Sequence, residues 1–353
     1  MQKFTRRLEI STSTAENSKR LVNFCTPKAR FSCKVSAVAA RGGDFHKNIF
    51  GFGSSNVPAR LEQNGKFLTF AALYIRSMKI KEVAAALERF APLPLQEDYD
   101  NAGLQVGLTE TEASGALLCL DVTEETVREA VRRGCNVLVA HHPLLFRGLK
   151  CVSAATEVER CVREAILHGI TIYAAHTNLD NAPGGVNHRI AEKIGLEEVK
   201  FLQPFTRSGF EGGSGVIGVL SKPEAPLDFL HRVAEIFGVE CLMHNEGPKE
   251  RQVQRVALCG GSGDFLLGEA VRQGADVFLT GEMGYHHYFG HASGLWLGVL
   301  GHYQSERFTL SLMRDVLAHA LPELPVFLAT QPTNPIRYMH LPEMAAQNQK
   351  EQQ

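Results

Sequence analysis

The stretch ALLCLDVTEETVREAVRRGCNVLVAHH, residues 116–142, aligns without a gap on VALCGGSGDFLLGEAVRQGADVFLTGE, residues 256–282. Leu118, Cys119, Glu129, Ala130, Val131, Arg132, Gly134 and Val137 all recur 140 positions later. Each copy reads as a short apolar strand, an amphipathic helix ended by glycine, and a second apolar strand. Two generic strand–helix–strand units would share residue types, but not the spacing of two strands, a helix and its terminator. The agreement therefore indicates a duplicated half.

Working outward, the same alternation fills most of the chain. Residues 79–90 read as an amphipathic helix stopped by Pro92 and Pro94. Residues 116–120, 137–140 and 170–175 read as strands, and 124–133, 155–168 and 186–194 as helices. Short apolar strands alternating with amphipathic helices predict an α/β fold. Its two similar lobes would hold mainly parallel sheets flanked by helices, with a cleft between them. Residues 199–252 change character: Gly209, Gly212, Gly213 and Gly215 precede a strand-like 216–220 and a helix-like 227–237. The expected division is a leader at 1–77, a first lobe at 78–198, a small linking unit at 199–252, a second lobe at 253–344 and a frayed, Gln-rich tail at 345–353.

Charge separates the leader from the rest. Residues 1–77 hold 13 Lys/Arg against 4 Asp/Glu, a balance of +9; the remainder holds 24 against 34, a balance of −10. An acidic body argues against nucleic-acid binding, because phosphate contacts need clustered cations. The leader lacks sustained periodicity and is rich in Ser, Thr, Lys and Arg. It reads as a mitochondrial-type transit segment, as a disordered tail, or as an extension upstream of an alternative start at Met78. The body on its own reads as cytoplasmic. No apolar run approaches the length that spans a bilayer. None of the eight cysteines forms a C-x-x-C pair, and Cys119 and Cys259 sit inside apolar strands. That suits buried free thiols in a reducing compartment, without a disulfide framework.

Polar side chains gather where strands end. TIYAAHTNLD (171–180) closes a strand with His176 and places Asp180 four residues on; LGVLGHYQSE (297–306) does the same with His302 and Glu306. His141 and His142 close a third strand, which Pro143 stops from continuing. In open parallel sheets ligands bind at carboxyl strand ends, so two facing halves would put these groups around one cleft. Neighbours on a regular strand point oppositely. His141 and His142 therefore share a site only where the backbone turns, or else each binds a different ion. Gly301 permits the unusual backbone such a turn needs. Imidazole and carboxylate together suit Zn, Mn, Fe or Co. His141, His142, Asp180, His302 and Glu306 are too many ligands for one open tetrahedral zinc. They suit two divalent ions sharing a carboxylate. His287 and His291 could pair on a helix face, but read as surface residues. Offsetting by 140 puts Glu282 on His142 and Gly281 on His141. Glu282 is expected near the metals, orienting a histidine or accepting a proton, or else capping a helix. His176 is expected as a general base or an orienting group.

These residues carry a family resemblance. DYDNAGLQVG (98–107), AHHP (140–143), HTNLD (176–180), TGE (280–282) and GHYQSE (301–306), in this order, resemble the Nif-three-like proteins, often labelled type-2-like GTP cyclohydrolase I. The resemblance spans roughly 78–340 and implies a two-lobed α/β fold, a dimetal centre with the five ligands above, and a toroidal homohexamer. Tyr99 departs from it, standing where the family commonly has Trp, and 199–252 is shorter than the insert of some bacterial members. The implied function is a metal-dependent hydrolase acting on a small, nucleotide-like molecule through metal-activated water. The alternatives are an interaction protein or transcription co-regulator with a structural dimetal centre and protein partners, and a metal chaperone or store.

Overall fold

The computed structural model describes residues 60–63, 66–69, 78–291 and 294–339. The transit reading of the leader and the fraying of 345–353 fall outside these residues. Contacts divide the chain into two units at Ile75/Arg76. The described part of the first unit is an antiparallel hairpin, β1 (Arg60–Gln63) and β2 (Lys66–Thr69), with Arg60 opposite Thr69.

The second unit opens with α1 (Ile80–Phe90), which starts at residue 80 because the Glu82 carboxylate reaches back to the Lys79 amide. There follow β3 (Gly103–Val106), β4 (Ala116–Cys119), α2 (Glu124–Arg133), β5 (Val137–Ala140), α3 (Glu157–His168), β6 (Thr171–Ala174), α4 (Thr177–Asp180) and α5 (Val186–Ile194). A long hairpin, β7 (Leu196–Arg207) and β8 (Phe210–Glu224), leads to α6 (Pro226–Phe237) and β9 (Met243–His244). The chain closes with β10 (Val253–Cys259), α7 (Leu267–Arg272), β11 (Val277–Thr280), β12 (Trp296–Val299), α8 (His302–Glu306), α9 (Thr309–Ala320) and β13 (Val326–Leu328).

Two sheets result, ordered β13-β4-β5-β6-β3 and β7-β8-β10-β11-β12-β9. Their central triplets, β4-β5-β6 and β10-β11-β12, are parallel. The duplication holds at the level of register: Ala116 faces Val137, and Val256 faces Val277, each pair displaced by 140 from the other. Period-2 alternation then decides the layers. Leu118, Val139, Leu258 and Leu279 face a shared core with α1, α5, α6 and α9, whereas Leu117 and Leu138 face α2 and α3, and Ala257 and Phe278 face α7.

The structure differs from the sequence reading in three respects. Residues 199–252 do not stand apart: β7 and β8 extend the second sheet, β8 pairing antiparallel with β10 and β9 with β12. The second sheet is therefore parallel only at its centre. Gly209 lies at the Ser208–Gly209 turn, and Gly212, Gly213 and Gly215 lie inside β8. Finally, β13 leaves the second half and pairs parallel with β4 of the first sheet.

Candidate metal centre

The central strands end at one level, and each end presents a polar side chain. β5 stops at Ala140, so His141 and His142 lie beyond the regular ladder. Their rings are 4.9 Å apart and tilted, and both turn into the cleft. His176 precedes α4, which ends at Asp180. Gly301, at φ 91°, makes the turn into α8, whose first and last residues are His302 and Glu306. Side chains four apart share a helix face, and His302 Nε2 lies 3.3 Å from Glu306 Oε2. Gly281 allows α8 to seat closely: a Cβ there would stand 2.6 Å from the Gly261 carbonyl oxygen and 3.0 Å from the His302 Cα. This packing explains why one half carries glycine where the other carries His141.

Glu306 is the hub. Its carboxylate is buried, with Oε2 2.9 Å from His142 Nε2 and Oε1 3.7 Å from His141 Nε2. His141 Nε2 is also 3.7 Å from Asp180 Oδ1, and the Nε2 atoms of His142 and His302 face each other at 3.3 Å. Among the described residues, two groups have donor atoms close enough to hold a metal: His141, His142 and His176, and His142, His302 and Glu306.

The outward face of each ring fixes its inward one. His141 Nδ1 donates to the Ala175 carbonyl at 2.8 Å, and His142 Nδ1 lies 2.8 Å from Asp121 Oδ1. His176 Nδ1 lies 2.7 Å from Asp100 Oδ1, and His302 Nδ1 3.1 Å from Glu282 Oε1. An acceptor at Nδ1 holds the proton there and leaves Nε2 as a lone pair. In their neutral forms the rings of His141, His142 and His302 thus turn Nε2 lone pairs toward the buried Glu306 carboxylate. His141 Nε2 and Glu306 Oε2 are buried without a hydrogen-bond partner; the 2.9 Å approach of His142 to Glu306 lacks hydrogen-bond geometry. Buried acceptors left without a donor carry a desolvation cost that a cation between them removes. The residues present fit divalent metal.

Electrostatics agree. Burial would raise the Glu306 carboxyl, but His141, His142 and His302 hold it well below the usual range. Burial raises the Asp180 carboxyl, and the His141 charge only partly opposes it. Burial works against a charge on His142, yet Asp121 and Glu306 push its pKa up to about 10. Asp100, despite burial, is held down to about 2 by His176 and Thr177.

Of the residues singled out in the sequence, His141, His142, His176, Asp180, His302 and Glu306 come together, with Glu282 against the His302 ring. His176 stands among the donor groups, closer in than a detached base would be. His287 pairs with Asp264 at 3.2 Å and belongs to neither donor group. Sequence reasoning missed Asp100 and Asp121. Asp121 was legible as a charge ending an apolar strand, and Asp100 lies within the DYDN run. Neither declares which imidazole it serves.

The fold and this cluster define a two-lobed α/β protein with a candidate metal centre at its facing strand ends. Residues 78–335 match the Duf34/NIF3 (NGG1p interacting factor 3) family model, and the chain belongs to that family. It is 28% identical over 268 residues to a Clostridium acetobutylicum protein named GTP cyclohydrolase 1 type 2 homolog, spanning 74% of this chain and 99% of the relative. A Lactococcus lactis protein of the same name is 33% identical over 267 residues, spanning 73% and 98%. A solved Staphylococcus aureus hypothetical protein superposes with a TM-score of 0.67 at 26% identity, covering 74% of this chain and 99% of that one.

Proposed function

We propose that this protein is a metal-dependent hydrolase of a small, nucleotide-like substrate, with two divalent ions in the cleft. His141 and Asp180 would hold one ion and His142 and His302 the other, with Glu306 shared and His176 completing the first group. The observation that carries this reading is the set of three histidines, His141, His142 and His302, whose Nε2 atoms face the buried Glu306 carboxylate, with Nδ1 of His141 and His142 held by an acceptor. A divalent ion there supplies Lewis acidity and brings the pKa of a bound water towards neutrality. The protein's own groups do the rest. Asp100, Asp121 and Glu282 orient the rings, and Glu282, beside the more open His302, can take up a proton. Two adjoining cavities of about 330 and 550 Å³, both lined by Glu282, His302 and Ile336, offer room for a small molecule.

The purine-type substrate rests on the relatives' name, and the homohexamer and any organellar address remain proposals beside it. The test is metal analysis of purified protein, then a hydrolase panel that includes GTP, run with and without chelator. Metal-dependent turnover supports the reading. Bound metal without turnover favours the interacting-factor role printed in the family description, or metal storage, and overturns the hydrolase.

A further inference from the structure

After β13 the chain does not leave the molecule. Ala329 still donates its amide to the Leu118 carbonyl of β4 at 2.8 Å. The Thr330 amide and hydroxyl both donate to the Glu129 carboxylate, each at 3.1 Å. Three residues on, the Thr333 hydroxyl donates to Asp121 Oδ2. The other oxygen, Asp121 Oδ1, lies 2.8 Å from His142 Nδ1. Asn334, Pro335 and Ile336 then line the cavity beside His142 and His302.

A carboxylate that holds an imidazole must not swing about its own side-chain torsion. The Asp121 side chain is 39% exposed, so burial alone does not fix it. Thr333 occupies its second oxygen and keeps the first aimed at the ring. We propose that Thr333 is a positioning residue of the metal centre, acting on His142 through Asp121. A segment of the second half thereby sets the hold of a first-half ligand. This rests on the reading that His142 binds metal.

The test uses the full chain stripped of metal and reloaded with zinc. Zinc affinity is read by chelator competition in wild type, Thr333→Val, Thr333→Ser and Asp121→Asn. Outer-shell partners of ligating histidines are worth roughly 10–100-fold in affinity, so Asp121→Asn should lose that much at one of two equivalents, and Thr333→Val about tenfold. Thr333→Ser, which keeps the hydroxyl, should restore affinity to within about twofold of wild type on that scale. The visible spectrum of the cobalt(II)-loaded protein should shift in Thr333→Val and return in Thr333→Ser. The melting temperature of metal-free Thr333→Val should match that of metal-free wild type. Wild-type zinc affinity in Thr333→Val overturns the proposal. An equal fall in the melting temperatures of the metal-free and loaded variant, at unchanged affinity, reduces Thr333 to a structural staple and overturns it too. Failure of wild type to take up zinc overturns the metal reading itself, and this proposal with it.

Discussion

At the scale of single residues, Glu306 decides most. It is the carboxylate that the imidazoles of His141, His142 and His302 all approach. Glu306→Ala should therefore cost both metal equivalents, and His141→Ala one, by more than the roughly 10–100-fold typical of outer-shell partners. His287→Ala should leave metal content unchanged. Elemental analysis checks all three, and full metal content in Glu306→Ala would refute the assignment. The pH dependence has a definite sign. In the metal-free protein the His142 pKa stands at about 10, above its ordinary 6.5. Its stabilising contribution is thus complete below 6.5 and is lost as pH rises through about 10. Metal requires the deprotonated ring, so zinc uptake should release protons and tighten over that same window. Between about pH 7 and pH 9, the melting temperature of the metal-free chain should fall while the increment from zinc grows; the opposite trend would refute the account.

At the scale of elements, the duplication is real in register and imperfect in detail. Val137 faces Thr171 and Val277 faces Trp296, so β6 and β12 correspond at an offset of 125. On that offset His176 corresponds to Gly301, and His302 to Thr177. The two H-x-x-x-acid runs are thus staggered by one residue, although each looked like the other's copy in sequence. The stagger places His302 as the first residue of α8, whereas His176 sits just before α4. The helices also diverge. Thr123 caps α2 through the Thr126 amide, while its counterpart Gly263 has no side chain, and α7 begins only at Leu267. The seat of α8 is testable through Gly281. Gly281→Ala forces a Cβ against the Gly261 carbonyl and the His302 backbone, so it should destabilise the protein by ~1–3 kcal/mol and weaken metal binding together. Urea unfolding of the metal-free variant measures the first effect and chelator competition the second. Wild-type values for both would show that α8 can seat elsewhere.

At the scale of the molecule, the second unit carries both sheets, the shared core and the candidate metal cluster. A chain starting at Met78 should accordingly fold, assemble and bind zinc as the full chain does. Loss of soluble, metal-loaded protein on truncation would show the leader to be structural. A reporter fused to residues 1–77 tests the transit reading separately, and a purely cytosolic signal would count against it. The proposed ring predicts a sedimentation mass several times the 38.8 kDa of one chain. A monomer at micromolar concentration would exclude it.

The sequence by itself determined the α/β class, the duplicated strand–helix–strand unit and the histidines and carboxylates at strand ends. Those features are local: periodicity, a helix terminator and a polar residue closing an apolar run are written in adjacent positions. Tertiary structure alone decided that β13 returns to the first sheet, that β7 and β8 widen the second, and that Asp100, Asp121 and Glu282 each serve a particular histidine. Strand order depends on which edges and apolar faces the folded chain brings together. The partner of an imidazole nitrogen depends on side chains as far as 76 residues away in sequence, as His176 and Asp100 are, meeting within hydrogen-bond reach. No spacing rule encodes that distance, because the packing of two sheets around one core sets it.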